Sequence, residues 1–199
     1  MKVLNEPIVK FLLLGFILYT GWFALYEWWI HPLQWIDKAV IRNIRSVSQT
    51  LLEGMGYVTE TSGDRFLRIQ GSPGLFIGDS CNGISLFALF SIFIIAFPGK
   101  IISKLIFIPM GILIIHLMNV LRVVVLSIVE IYSYSWTEFN HTYTFTTLIY
   151  VCIFGMWLFW IKKYSAVRDI KSHILTPHPP SPSPKEKGGS PSPLERDLG

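Results

Sequence analysis

The chain is short of charge and short of cysteine. Only 15% of its 199 residues are charged while 51% are apolar, too little polarity to solvate a water-soluble domain of this size, so a membrane is the expected solvent. Two cysteines, Cys81 and Cys152, exclude a disulfide framework. They fall at different expected depths, which argues against a dithiol redox protein, because a resolving thiol must lie close by. Nothing resembles a metal-ligand cluster or a nucleotide loop; Gly71-Ser72-Pro73-Gly74 is too loose to cradle phosphate. No cofactor is therefore expected. Aromatic and basic residues do not interleave as nucleic-acid recognition requires. The net charge of +4 is thus read as membrane topology, and no nucleic-acid partner is expected. No internal repeat is present, and nothing in the pattern indicates an oligomeric state.

What the chain does have is apolar runs. Phe11 to Tyr26 follows Lys10 and ends at Glu27-Trp28-Trp29 without a small-residue cleavage site, so it reads as a retained helix and not a removed signal. Gly83 to Phe97 is closed by Pro98, Gly99 and Lys100; Ile101 to Tyr132 is interrupted only by Lys104, His116, Asn119, Arg122 and Glu130; Tyr143 to Ile161 is closed by Lys162 and Lys163. Four alternating spans put Lys2, Lys10, Lys100, Lys104, Lys162, Lys163, Arg168 and Lys171 on one side, which makes that side and both termini cytoplasmic. The outer side receives Ile30 to Ser80, whose charges balance, and Ser133 to Thr142, which has no Lys or Arg.

Within the outer segment, Leu33 to Leu52 carries apolar residues at helical spacing (Trp35, Ile36, Val40, Ile44, Val47, Leu51) and stops at Gly54-Met55-Gly56. The pattern predicts an amphipathic helix at the membrane interface. Val58 to Thr61 and Phe66 to Ile69 flank a Ser-Gly-Asp turn and predict a short hairpin. From about Thr176 the Pro- and Ser-rich sequence cannot bury a core, so a disordered cytoplasmic tail is expected. The expected fold is an all-α membrane protein, a bundle of about four transmembrane helices with an amphipathic interfacial helix and a small β-hairpin on the outer side. Its expected divisions are 1–30 (N-terminal span), 31–80 (outer loop), 81–163 (three-helix membrane core) and 164–199 (tail).

The lysines serve as a ruler. At about 1.5 Å of rise per residue, Cys81 lies roughly 28 Å above Lys100, Arg122 roughly 27 to 33 Å above Lys104 or Lys100, and His141 roughly 31 Å above Lys162. The hydrocarbon core is about 30 Å thick, so three polar side chains converge at its outer edge. Cys81 is expected in the first turn of a spanning helix, where the dipole and a nearby Arg favour a thiolate, with Asp79 and Ser80 as its N-caps. A histidine in reach completes an activated nucleophile, and Arg122 is placed to hold a developing oxyanion. Asn119 shares the face of Arg122 and either orients the guanidinium or contacts a peptide backbone. The plain alternative is an Arg-Asn pair snorkelling at the interface. His116 competes for the base role but lies deeper and reads better as a buried, hydrogen-bonded histidine. Cys152 reads as packing, and Glu130 and Glu138 as solvated outer-face acids.

The Cys81-Asn82-Gly83 turn, the Asn119-Val120-Leu121-Arg122 motif and Asn140-His141, in this order, make the stretch from about Phe66 to Trp160 resemble the exosortase/archaeosortase family. The resemblance implies a membrane-embedded cysteine peptidase or transpeptidase at the outer face of the bacterial cytoplasmic membrane. It implies Cys81 as nucleophile, Arg122 as oxyanion or thiolate stabiliser, His141 as general acid/base, and Asn82, Asn119 and Asn140 as substrate-binding amides. The implied partners, besides membrane lipids, are secreted proteins carrying a C-terminal sorting signal: a short motif, a transmembrane helix and a basic tail. Longer members of the family have about twice as many spans, and the residues after His141 lack a glycine expected a few positions on. A reading from another class remains beside it: a non-catalytic membrane component of a polysaccharide or protein export system, with Arg122 and His141 lining a polar cavity.

Overall fold

The computed structural model describes residues 7–132 and 144–163. Helix α1 (Pro7–Leu25) does not stop at Glu27. It widens into a π-helical turn, Tyr26–Ile30, in which the His31 N–H reaches back to the Tyr26 carbonyl, and continues as a short α2 (His31–Leu33). Gln34, at φ 50, then turns the chain. The apolar stretch Ile8–Leu33 thus reaches 26 residues, because nothing before Pro32 breaks helical geometry.

Helix α3 (Trp35–Gly54) buries Asp37, Ile41, Ile44, Ser48 and Leu52, a single face at three- and four-residue spacing. This is not the stripe expected from the apolar positions: Trp35 and Leu51 face outward, 63% and 48% exposed. Two polar side chains take inward positions because each finds a partner there, as buried polar groups must. The helix packs on α5 (Ile101–Tyr132), with Ser48 Oγ donating to the Val120 carbonyl at 3.4 Å. It is therefore fastened to the bundle rather than lying on the membrane surface alone.

The predicted hairpin forms from β1 (Thr59–Ser62) and β2 (Phe66–Ile69), antiparallel with Glu60 opposite Arg68, and those two side chains ion-pair. A third strand, β3 (Leu75–Phe76), extends it to a three-stranded sheet. The hairpin turn is tied to α3 by Arg42, which donates to both oxygens of Asp64 at 3.0 and 3.2 Å, and by Arg45, which donates to the Gly63 carbonyl. The two hydrogen bonds from Arg42 hold the Asp64 carboxyl below the usual carboxylate range. Thr59 and Gln49, donating to Glu53, do the same for that acid at the end of α3.

Among the described residues, three helices are long and apolar enough to cross a membrane: Ile8–Leu33, Ile101–Tyr132 and α6 (Phe145–Lys163). The expectation of about four is met only by counting α4 (Ile84–Ala96), which has 13 residues and so spans about 20 Å, well short of a hydrocarbon core of about 30 Å. Pro98 sets its end by forcing Phe97 into an extended conformation (ψ 139), and the Lys104 ammonium caps the Ile95 carbonyl at 2.7 Å.

Two buried cores result. In the membrane core, Phe90 and Ile94 of α4, Phe107 and Ile115 of α5, and Ile149, Ile153 and Trp160 of α6 pack together. Gly111 makes this possible, since a Cβ there would fall inside 3.0 Å of the Phe90 ring. The second core joins Ile41, Ile44 and Leu52 of α3, Leu67 and Ile69 of β2, Ile77, Cys81, and Val120, Val123 and Val124 of α5. Large apolar side chains elsewhere, including Phe16, Ile102 and Phe154, are exposed, as lipid-facing residues are.

Candidate functional site

The Cys81 segment is not the first turn of a spanning helix. Asp79–Cys81 forms a separate 3-10 turn, closed by Cys81 N–H to the Gly78 carbonyl at 3.0 Å and Asn82 N–H to the Asp79 carbonyl at 3.2 Å. Gly83 then adopts φ 74, and α4 begins only at Ile84. The positive φ interrupts the helix, so the end of the α4 dipole lies beyond the thiol. The expected capping role of Asp79 is also not observed: Asn82 Oδ1 accepts the Ile84 N–H at 2.9 Å instead. The Asp79 carboxylate is held by Arg65 at 2.7 Å and faces His31 at 3.9 Å.

Helix α5 meets this turn at Asn119. A Cβ on Gly83 would fall inside 3.0 Å of Asn119 Nδ2, so only glycine lets the turn settle against α5 at that point, and it does so in a conformation that glycine adopts without strain. Asn119 and Arg122, three residues apart on one helix face, are both buried, at 1% and 5% exposure. Asn119 Nδ2 has no hydrogen-bond partner among the described residues. Cys81 and Asn82 are each 3% exposed. Cys81 belongs to the same buried cluster as Val120 and Val123, the residues around Arg122. As expected from counting residues, residues far apart in sequence meet in one locality: the Cys81-Asn82-Gly83 turn and the Asn119/Arg122 face of α5 share one packed region.

His141 and Asn140 lie outside the described residues, as does Glu138. His116 is half-buried and pairs through Nε2 with Asn43 Oδ1 of α3 at 2.9 Å, which agrees with its reading as a hydrogen-bonded structural histidine. Cys152 lines an apolar cavity of about 330 Å³ with Phe107, Met110 and Gly155 among its neighbours, consistent with packing. Glu130 corrects the expectation of a solvated acid: it is 5% exposed and accepts a hydrogen bond from the Gly74 backbone, because the β2–β3 loop folds over the C-terminal end of α5.

Sequence reasoning missed Asp37 and Tyr26. Asp37, on the first turn of α3, is fully buried. Its Oδ1 accepts from the Tyr26 hydroxyl at 2.7 Å and from Asn82 Nδ2 at 2.5 Å. The available signal was spacing: Asp37 lies four residues before Ile41 and seven before Ile44, on the core face, where an acid needs a partner.

A family model described as transmembrane exosortase (Exosortase_EpsH) matches residues 8–161 of the chain. No curated protein matches, and no solved structure matches.

Proposed function

Because the chain belongs to the transmembrane exosortase family, we propose that it is a cysteine peptidase or transpeptidase that cleaves C-terminal sorting signals of secreted proteins. The observation that supports this most is the seating of Gly83 on Asn119, which brings the Cys81 turn to the helix face carrying Arg122. In this reading the Cys81 thiol gives its proton to His141 as Sγ attacks the scissile carbonyl. Arg122 stabilises the oxyanion of the tetrahedral intermediate, a contribution worth about 10²- to 10³-fold in rate for one such donor. The C–N bond then breaks, His141 returns the proton to the leaving amine, and a thioester on Cys81 remains. Attack by water completes hydrolysis; attack by an acceptor amine completes transfer. Asn119 and Asn140 serve as substrate-binding amides, and Asn119 Nδ2, buried without a partner among the described residues, has a donor to offer a peptide carbonyl; Asn82, expected as a third, already commits its amide to Asp37 and the Ile84 N–H.

The proposed site faces outward from the bacterial cytoplasmic membrane, with both termini cytoplasmic, following the lysines that flank the apolar runs. A substrate whose own transmembrane helix runs beside the bundle would present its motif at the height of Cys81.

Co-expression with a tail-bearing secreted protein tests this. Processing by the wild type and none by Cys81→Ala is the expected result. Equal processing by both removes Cys81 as nucleophile and leaves a non-catalytic role in an export system as the reading.

A further inference from the structure

Asp37 occupies the centre of a buried hydrogen-bond group that the peptidase chemistry does not use. It is fully buried and holds, through one oxygen, side chains from two other parts of the fold: Tyr26 from the π-helical turn and Asn82 from the Cys81 turn. Asn82 is in turn committed at its other end, where Oδ1 accepts the Ile84 N–H. The Asn82 amide is thereby fixed in one orientation, donor toward α3 and acceptor toward α4. Asp37 Oδ2 has no partner among the described residues, so the carboxylate is not shared with a competing cation there. Burial of an acid costs free energy unless hydrogen bonds compensate it, and the two bonds at Oδ1 are what this acid has received.

We infer that Asp37, oriented by Tyr26, is a positioning residue for the reaction: through Asn82 it sets the place of the adjacent Cys81. This rests on the peptidase reading for its functional meaning. The neighbours of the turn act on three of its residues: Arg65 and His31 hold Asp79, Asn119 receives Gly83, and Asp37 holds Asn82. Of this set, Asp37 acts on the residue directly after Cys81, whereas the others act on Asp79 and Gly83, each two residues from the thiol. Small displacements of a reacting atom have large kinetic effects, on the order of 100-fold for about 1 Å.

The test uses the full-length protein in micelles, in a Cys152→Ala background so that Cys81 is the single thiol. N-ethylmaleimide labelling of Cys81 is followed by mass spectrometry, well below each variant's unfolding midpoint, alongside processing of a co-expressed tail-bearing substrate. Asp37→Ala is expected to raise the labelling rate at least about 5-fold, as the turn loosens, and to lower processing at least about 10-fold. Asp37→Asn keeps an acceptor at Oδ1 and should recover both to within about 3-fold of wild type. Ser48→Ala, which removes another fully buried polar group of the same helix, should change neither. The inference is overturned if Asp37→Ala labels and processes like wild type, if it lowers only the unfolding midpoint, or if Asp37→Asn is no better than Asp37→Ala. Failure of the peptidase reading is distinct: Cys81→Ala would then process substrate normally, whatever the labelling rates show.

Discussion

Replacing Gly83 with alanine adds one methyl at the point where the Cys81 turn meets α5. Two costs follow from the geometry. At φ 74 an L-residue is strained by about 1 to 2 kcal/mol. The new Cβ would also lie inside 3.0 Å of Asn119 Nδ2, an overpacking that typically costs about 1 to 3 kcal/mol as neighbours shift. Together they predict a loss of roughly 2 to 5 kcal/mol. Gly71 separates the two terms, because it has a positive φ of 93 but nothing within 4 Å of its would-be Cβ. Gly71→Ala should therefore show the backbone cost alone, about 1 to 2 kcal/mol. Denaturant unfolding of both variants in micelles measures the difference, and substrate processing measures its effect on the site. The turn cannot keep its place with the extra methyl, so Gly83→Ala should also lose about 100-fold in processing rate, while Gly71→Ala stays near wild type. Gly83→Ala with the stability and rate of Gly71→Ala would refute the packing argument.

In the membrane core, Gly111→Leu should destabilise by about 1 to 3 kcal/mol or more, because the Phe90 ring occupies the space its side chain needs; unchanged unfolding would contradict that packing. In the hairpin turn, Asp64 has a depressed pKa in the folded protein, so its stabilising effect is present above the ordinary carboxylate range and is lost as pH falls through the folded value. Asp64→Asn should lower stability at neutral pH and flatten the acid limb of an unfolding-versus-pH profile below about pH 4, so that variant and wild type converge as pH falls.

The apolar runs and their breakers made most of the architecture legible. Pro98 and the Gly54-Met55-Gly56 stop fell where helices end, and the Ser-Gly-Asp turn produced a hairpin. The shortness of α4 was less visible, since hydropathy continues through Gly83 and Phe97, and the φ of 74 that excludes Gly83 from the helix depends on the approach of Asn119. At the site, Cys81, Asn119 and Arg122 could be brought to one depth by counting residues from lysines. The N-cap expected at Asp79 did not form, because its partner Arg65 sits in the turn between β1 and β2, whose docking no periodicity reveals. Asp37 escaped notice for a related reason. A charged residue in an amphipathic pattern is ordinarily assigned to the wet face, and only its partners Tyr26 and Asn82, 11 and 45 residues away, put it on the dry one.

Two short-range backbone hydrogen bonds close the Cys81 turn; its other fastenings come from elsewhere in the chain, and the Asn119 contact comes from a segment synthesised after it. While the chain emerges, Asp37 and Arg65 are already made, but the seat for Gly83 does not exist until α5 has entered the membrane. Such distant pairings form late, since the intervening chain must be ordered first. The thiol therefore reaches its final setting only after the long helix that carries Arg122 is in place, and a nascent chain stopped short of that helix holds a cysteine outside its final surroundings.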